Sequence, residues 1–228
     1  IKDESDGFQK IRMKYLLGQL YSHTKNQEKA FQAFESVTGL NTPYLYSFNA
    51  KMQQASFVNS SNKQEILSLL TKMSKDPKNK EYLDQIYYAI GNLYLSRKDT
   101  LKAMENYRLA NQKSTRNGIE KAICQITLGN LYFERREYVD AQPCYAEAIP
   151  QLKEDYPQYD LLSRRSSVLD ELVVYAQNVE LQDSLQNLAA MSEDDRNKAI
   201  QKIIDDLIKK EKEEAEAQQR EEYLAQQQ

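Results

Sequence analysis

The residues that could carry out chemistry are few and scattered in this sequence. Histidine occurs once, as His23, among 228 residues. A metal centre with two histidine ligands is therefore excluded, and so are most schemes of acid–base catalysis by histidine. The glycines are isolated from one another, so no phosphate-binding glycine loop is present. The sequence thus predicts no metal, no cofactor and no enzymatic activity in this segment.

Carboxylates and cysteines are the other reactive side chains. Asp194 and Asp195 are adjacent on a predicted helix, where successive side chains point about 100 degrees apart, so we interpret them as solubilising charges. Cys124 and Cys144 fall in predicted helices of one hairpin. They could form a disulfide in an oxidising compartment or be two reduced core residues. We favour reduced core residues because cysteine is often simply buried.

The composition indicates a helical protein. Glycine (6) and proline (5) are scarce, and good helix formers dominate nearly every window. The 31 basic and 34 acidic side chains give a net charge of −3 and are mixed along the chain, which does not favour binding of nucleic acid. No apolar run approaches the length of about 18 residues that a membrane-spanning helix needs, so we expect no such span.

Three of the glycines occur at the same position of an internal sequence repeat. The residues GNLY occur at 91–94 and again at 129–132, 38 residues apart. Each copy is followed by a charged turn, then an alanine, then a tyrosine four residues later. A third copy keeps this order as Gly18, Tyr21, Ala30 and Phe34. Self-similarity at this period predicts stacked helical hairpins, each of which buries its apolar face against its neighbours.

These three copies resemble tetratricopeptide repeats. The resemblance implies an all-α fold, a right-handed α-solenoid of helical hairpins. In each hairpin we expect the glycine of the first helix to face a small residue of the second, because only small side chains let two helix backbones approach closely. The expected pairs are Gly18 with Ala30, Gly91 with Ala103, and Gly129 with Ala141.

The repeats also predict how the chain is divided. A tetratricopeptide-like domain of four to five hairpins is expected over residues 8–191, followed by a charged C-terminal helix or tail over residues 192–228. The distance between the first two clear copies requires a degenerate hairpin, with helices near 44–58 and 63–74. A second degenerate pair is expected near 160–178 and 181–190.

The final segment has its own pattern. Ser192 is a predicted N-cap, and isoleucines and leucines between 200 and 208 form one apolar stripe. That stripe is nearly absent from residues 209–228. We expect this last part to be a solvated or fraying helix, and a coiled-coil partner site is the less favoured alternative because no heptad persists there.

The resemblance also implies where a partner binds, because the first helix of each hairpin lines the concave surface in this family. Amides there can hydrogen-bond a peptide backbone, while rings and aliphatic side chains supply apolar contact. Alternatively, each residue only contacts neighbouring helices. Family members that clamp a terminal carboxylate place lysine and arginine beside asparagine; the neighbouring positions here lack cations, so that clamp is not expected. The predicted partner-binding residues are Tyr15, Gln19, Tyr88, Asn92, Leu95, Ile126, Asn130 and Phe133, and His23 either joins them or is merely exposed.

A narrower resemblance concerns residues 188–219. They look like the close of a repeat block in the tetratricopeptide lipoproteins of gliding motility and type IX secretion. That resemblance implies a fragment of an envelope or periplasmic lipoprotein with its lipid anchor upstream. We therefore predict a non-catalytic scaffold for a secretion or motility apparatus. The alternatives are a cytoplasmic adaptor or regulator that binds a peptide in its groove, and a non-catalytic part of a larger enzyme.

Overall fold

The computed structural model describes residues 7–38, 41–57, 62–115 and 118–225, without the side chains of residue 217 and of those from 220 onward. Within these ranges the chain forms α-helices and two short 3-10 helices, with no strand. The predicted all-α fold of helical hairpins is confirmed. The helices are α1 (Gly7–His23), α2 (Gln27–Thr38), α3 (Tyr44–Ala55), α4 (Lys63–Lys75), α5 (Leu83–Ser96), α6 (Thr100–Lys113), α7 (Ile119–Glu134), α8 (Tyr138–Ala148), α9 (Tyr159–Ala190) and α10 (Glu193–Ala225), and the 3-10 helices are Pro77–Tyr82 and Ile149–Gln151.

The chain divides into two compact units, Ile1–Ala110 and Asn111–Gln228. The predicted boundary between residues 191 and 192 lies at the junction of α9 and α10, and the division into a repeat domain and a C-terminal helix stays a prediction. Among the helices in the described ranges, none combines the length and the apolar character needed to cross a membrane.

The degenerate second hairpin is present as α3 and α4. Pro43 directly precedes the first residue of α3. Proline is tolerated at the start of a helix, where its missing N–H would have no partner, but not in the interior. Asp76 ends α4, and its carboxylate accepts a hydrogen bond from the backbone nitrogen of Lys78 (3.0 Å). The buried Asn79 amide donates to the carbonyl of Met73 (2.7 Å), which satisfies one of the carbonyl groups left over at the end of α4.

Glycine in the first helix meets an aromatic ring of the second helix in both clear hairpins of the first unit. A Cβ atom built on Gly18 would lie 2.8 Å from Cε1 of Phe34, and one built on Gly91 would lie 2.5 Å from Cε1 of Tyr107. Both rings are completely buried. The small residue therefore makes room for a ring, and the expectation that it chiefly faces an alanine is wrong.

The third clear hairpin, α7 with α8, shows the same close approach less tightly. A Cβ atom on Gly129 would lie 3.0 Å from Cβ of Cys144 and 3.3 Å from Cζ of Tyr145, so its nearest neighbours are these side chains and not Ala141. Cys124 is buried and Cys144 is half-buried, and each carries a thiol, as expected of reduced core residues. The Cys144 thiol donates to the carbonyl of Asp140 (3.4 Å).

The pair of helices predicted over residues 160–190 is wrong, because α9 is one continuous helix of 32 residues. No glycine or proline interrupts the chain between 178 and 181, so nothing there ends the helix. The first part of α9 packs on α8 and buries Leu162, Ser166 and Leu169. The amide of Gln142 on α8 also donates to the carboxylate of Asp170 on α9 (2.6 Å).

The predicted start of the last helix is confirmed. The hydroxyl of Ser192 accepts from the backbone nitrogen of Asp195 (3.3 Å) and donates to the Asp195 carboxylate (2.7 Å). The Ser192 hydroxyl thus caps α10 by satisfying one backbone donor of its first turn. Arg196 reaches back and donates to the carbonyls of Leu188 (2.9 Å) and Met191 (3.1 Å), which ties the start of α10 to the end of α9.

Candidate functional site

The predicted binding face begins on α1, where its residues have different surroundings. Tyr15 is half-buried, and its ring meets those of Phe34 (5.3 Å between centroids) and Tyr46 (6.0 Å) nearly edge-on. Burial raises the pKa of the Tyr15 hydroxyl, and the neighbouring Tyr46 raises it further. Gln19 and His23 are exposed. Tyr15 thus serves the packing of the first unit, whereas Gln19 presents its amide to solvent.

On α5 the predicted residues lie beside Tyr107 of α6. The half-buried ring of Tyr88 lies 5.5 Å from that of Tyr107, measured between centroids. Asn92 is exposed, but its side-chain oxygen accepts a hydrogen bond from the Tyr107 hydroxyl (2.7 Å). Leu95 is half-buried one turn later. This part of the surface offers a ring edge, an aliphatic side chain and the nitrogen of an amide whose oxygen already has a partner.

The equivalent position on α7 carries a larger cluster. The oxygen of the Asn130 side chain accepts from the Tyr145 hydroxyl (2.7 Å) and from Nη1 of Arg165 (2.8 Å). The same Nη1 donates to the Tyr145 hydroxyl oxygen (3.0 Å). The guanidinium carbon of Arg165 lies 4.3 Å from the centroid of the half-buried Phe133 ring, a cation–π contact. Arg165 belongs to α9, so three helices of the second unit contribute to this cluster.

The cluster carries one positive charge, that of Arg165, which lies against the apolar ring of Phe133. Burial raises the pKa of Tyr145, and the hydrogen bond and the charge of Arg165 oppose that rise. The Nε and Nη2 atoms of Arg165 donate no hydrogen bond to any residue in the described ranges, and no carboxylate there forms an ion pair with it. A guanidinium presents its donors as a planar fork that matches a carboxylate. The cluster can therefore accept an anionic or carbonyl oxygen from outside.

The three clear hairpins are variants of one arrangement. Fifteen residues separate Asn92 from Tyr107 and Asn130 from Tyr145, and each tyrosine donates to its asparagine. In the first hairpin the residues at these two positions are Gln19 and Phe34. Phenylalanine has no hydroxyl group, so this hydrogen bond cannot form there. The two asparagines therefore fasten their own hairpins besides facing the predicted groove, a role that sequence reasoning missed. The spacing of asparagine and tyrosine was the available signal.

Two further residues differ from the sequence-based picture. Ile126 is buried on α7, so its side chain packs inside the second unit and offers almost no surface to a partner. Arg165 supplies the cation that seemed to be missing beside Asn130. The sequence patterns considered cations only on the first helices of the three clear copies, and α9 lacks the glycine and tyrosine that mark those helices. A basic residue near the start of α9 was the signal that could have predicted this contact with Asn130.

The side chains of this arrangement are of few kinds. In the part of the chain that the structure describes, no three histidine, cysteine or acidic side chains are placed to hold a metal ion. The groups around Arg165 are hydrogen-bond donors, an amide and rings.

Comparison with known families supports the repeat. A family model described as tetratricopeptide repeat matches residues 11–43 and 84–112. The first match contains α1 and α2, and the second contains most of α5 and α6. These two segments are therefore similar to tetratricopeptide repeats, which supports the resemblance over that part of the chain. No curated protein matches the chain, so no relative supports the narrower resemblance of residues 188–219 to secretion and motility lipoproteins.

Proposed function

We propose that this chain, two segments of which match the tetratricopeptide repeat, is a non-catalytic scaffold whose hairpins hold a protein or peptide partner. Repeats of this kind generally bind proteins, and no bond-making chemistry is apparent in the cluster. The proposed contact residues on the first unit are Tyr15, Gln19, Tyr88, Asn92 and Leu95, and those on the second are Asn130 and Phe133, all of them exposed or half-buried. The buried Ile126 supports this face from inside the second unit and does not touch the partner.

The observation that carries this proposal is the position of Arg165. Its guanidinium carbon lies 4.3 Å from the centre of the Phe133 ring and its Nη1 is hydrogen-bonded, which leaves Nε and Nη2 without an acceptor among the described residues. Fixing this side chain in advance lowers the entropy lost on binding. A partner segment with an aspartate, a glutamate or a terminal carboxylate would complete the fork, and an apolar neighbour in that segment would cover the rest of the Phe133 ring.

Selection from a random peptide library displayed on phage tests this proposal without a known partner. The immobilised chain should enrich peptides that carry Asp, Glu or a free carboxyl terminus. Arg165→Ala should lose that enrichment, whereas the matched control Arg164→Ala, one residue away on the exposed side of α9, should keep it. For a selected peptide, Arg165→Ala should weaken affinity by about tenfold or more in fluorescence polarisation.

Phe133→Ala gives a second measurement on the same peptide. Truncating a central aromatic anchor commonly costs about 2 kcal/mol or more in binding, so affinity should fall while the helical content stays unchanged. If Arg164→Ala and Arg165→Ala behave alike, or if the selected peptides carry no acidic group, the cluster is not the binding site.

For the cellular setting we propose a scaffold of the cell envelope that serves a secretion or gliding-motility apparatus, with a lipid anchor upstream of this segment. The support is the resemblance of residues 188–219 alone. A cytoplasmic adaptor or regulator using the same face is the alternative. Cell fractionation of the native protein separates the two, since a lipid-anchored protein sediments with membranes and leaves them only with detergent. Recovery in the cytoplasmic fraction would favour the adaptor.

A further inference from the structure

One face of α9 combines an arginine with a row of exposed apolar side chains. From Leu161 to Val179 its residues follow one another at steps of four, three, four, three and four, so they lie in one line along the helix. Arg165 is the second residue of this line, which we call the Arg165 face. Its apolar members are 37% to 70% exposed, and they are Leu161, Val168, Leu172, Tyr175 and Val179. A continuous apolar stripe of this kind commonly marks an interaction site.

The Arg165 face continues the predicted binding surface of α7. The guanidinium carbon of Arg165 lies 4.3 Å from the centroid of the Phe133 ring, and its Nη1 donates to the side-chain oxygen of Asn130 (2.8 Å). The apolar stripe of α9 thus begins at the cluster around Arg165 and runs away from it along the helix. Both helices belong to the second unit, so this continuity is a property of that unit alone.

The neighbouring face of α9 shows which kind of segment this spacing accepts. Leu162, Ser166 and Leu169 each follow a member of the Arg165 face by one residue, and they are buried where α9 packs on α8. Steps of four and three residues form the ridges with which one helix packs on another. Beyond Arg165 the face offers aliphatic side chains and one tyrosine ring, which cannot supply a row of hydrogen bonds to an extended backbone. A helix satisfies its own backbone groups, so it is the segment that suits this face.

The charges of α9 differ between the two ends of the Arg165 face. At one end, Nε and Nη2 of Arg165 have no acceptor among the described residues, so they can bind a carboxylate. Every charged residue of α9 after Arg165 is acidic, namely Asp170, Glu171, Glu180 and Asp183. Complementary charges at the rim of an apolar contact fix its direction. The occupant therefore needs an acidic group at the Arg165 end and basic groups toward the other end.

We propose that the partner binds the second unit as an amphipathic helix laid along the Arg165 face. This inference rests on the proposed function, because it names the kind of segment that the cluster around Arg165 receives. The helix carries an aspartate or glutamate that binds Arg165, then apolar residues at steps of three and four, then lysine or arginine beside Glu180 and Asp183. At 1.5 Å per residue the face is about 27 Å long, so a partner helix of about 18 residues covers it.

Designed peptides test this inference on the 228-residue chain without a known partner. The probes are peptides of about 18 residues with blocked ends, glutamates at one end, lysines at the other and leucines between them at helical spacing. One probe carries this pattern in each chain direction. At least one should bind in fluorescence polarisation and become more helical in circular dichroism on binding. A control peptide of the same composition, with its leucines spread round the helix, should bind about tenfold more weakly or worse.

Variants of α9 locate the contact. Val168→Glu should weaken binding of the probe by about tenfold or more, because it places a carboxylate in the apolar contact. Val174→Glu is the matched control, since Val174 is also 56% exposed but lies outside the Arg165 face, and it should bind the probe like the unmodified chain. Both valines are exposed, so both variants should keep the melting temperature of the unmodified chain. Replacing the glutamates of the probe with glutamine should weaken binding to the unmodified chain but not to Arg165→Ala.

The outcomes separate this inference from the proposed function. If peptides selected on the chain depend on Arg165 but neither helical probe binds, the cluster takes an extended segment, and only the helical inference is wrong. If neither the selected peptides nor the probes depend on Arg165, both proposals are wrong. Equal binding of the probe and of the control peptide, or equal effects of Val168→Glu and Val174→Glu, would also overturn the inference, because the Arg165 face would then have no specific role.

Discussion

Replacing Gly91 with alanine tests whether the close approach of α5 and α6 depends on the missing side chain. The added Cβ would lie 2.5 Å from Cε1 and 2.7 Å from Cδ1 of the Tyr107 ring, closer than carbon atoms approach without strain. The ring is completely buried, and its hydroxyl is held by Asn92, so it has little room to shift. Either the ring or the helix pair must move.

The magnitude follows from two opposing effects. Alanine in a helix interior gains about 1 kcal/mol over glycine, whereas forcing an extra carbon into a filled core costs about 1 to 3 kcal/mol. At 2.5 Å we expect the cost to win, so Gly91→Ala should lower the free energy of unfolding by about 1 to 2 kcal/mol. Gly129→Ala, where the nearest atom is 3.0 Å away, should be close to neutral, while the larger Gly129→Leu should cost about 1 to 3 kcal/mol.

Urea unfolding followed by far-ultraviolet circular dichroism measures these differences. Gly7→Ala, at the first residue of α1 where nothing lies within 4 Å of the added carbon, controls for adding a carbon in open space. A double variant isolates the contact, because Tyr107→Leu removes the atoms that the new carbon would meet. The alanine at position 91 should then cost less in the Tyr107→Leu background than in the unmodified chain. An unchanged or raised stability of Gly91→Ala, or an equal cost in both backgrounds, would refute the reasoning.

Three other predictions concern the tyrosine–asparagine hydrogen bonds, the packing of α9 and the end of the chain. Tyr107→Phe should cost about 1 kcal/mol through the loss of one hydrogen bond, and Tyr145→Phe should cost more in the same urea titration because its hydroxyl also accepts from an arginine. Leu169→Ala should cost about 2 to 5 kcal/mol because that side chain is buried, whereas Val168→Ala at the exposed neighbouring position should change stability by less than about 0.5 kcal/mol. Equal effects at the two positions would contradict the packing of α9 on α8. Deleting residues 209–228 should leave the main unfolding transition nearly intact, since the described side chains there are exposed, and a large loss of stability in calorimetry would show that this segment packs on the rest of the chain.

Much of the fold was accessible from local signals. The repeated GNLY, the alanine after each charged turn and the aromatic four residues later locate three hairpins, because a helix pair needs small residues at its close contact and a large one beside it. Pro43 and the Asp76–Pro77 step marked the ends of a hairpin that had lost the signature. The absence of such breaks between residues 178 and 181 was equally informative, and it would have predicted the single helix α9.

The binding face could be predicted only in outline. Position along a first helix predicted that Asn92 and Asn130 face a groove, but it could not show that tyrosines fifteen residues away already donate to their side-chain oxygens. Ile126 illustrates the same limit, since its burial depends on which helices lie next to α7.

By itself, then, the sequence determined which segments are helical, where most of them begin and end, and that they pair as hairpins. These properties depend on backbone propensity and on residues within a few turns of one another. Tertiary structure alone decided that a ring, and not an alanine, fills the space beside Gly18 and Gly91. It also decided that Arg165 of α9 lies on Phe133 of α7. Both contacts join residues on different helices, and their geometry depends on how those helices cross, which no local spacing specifies.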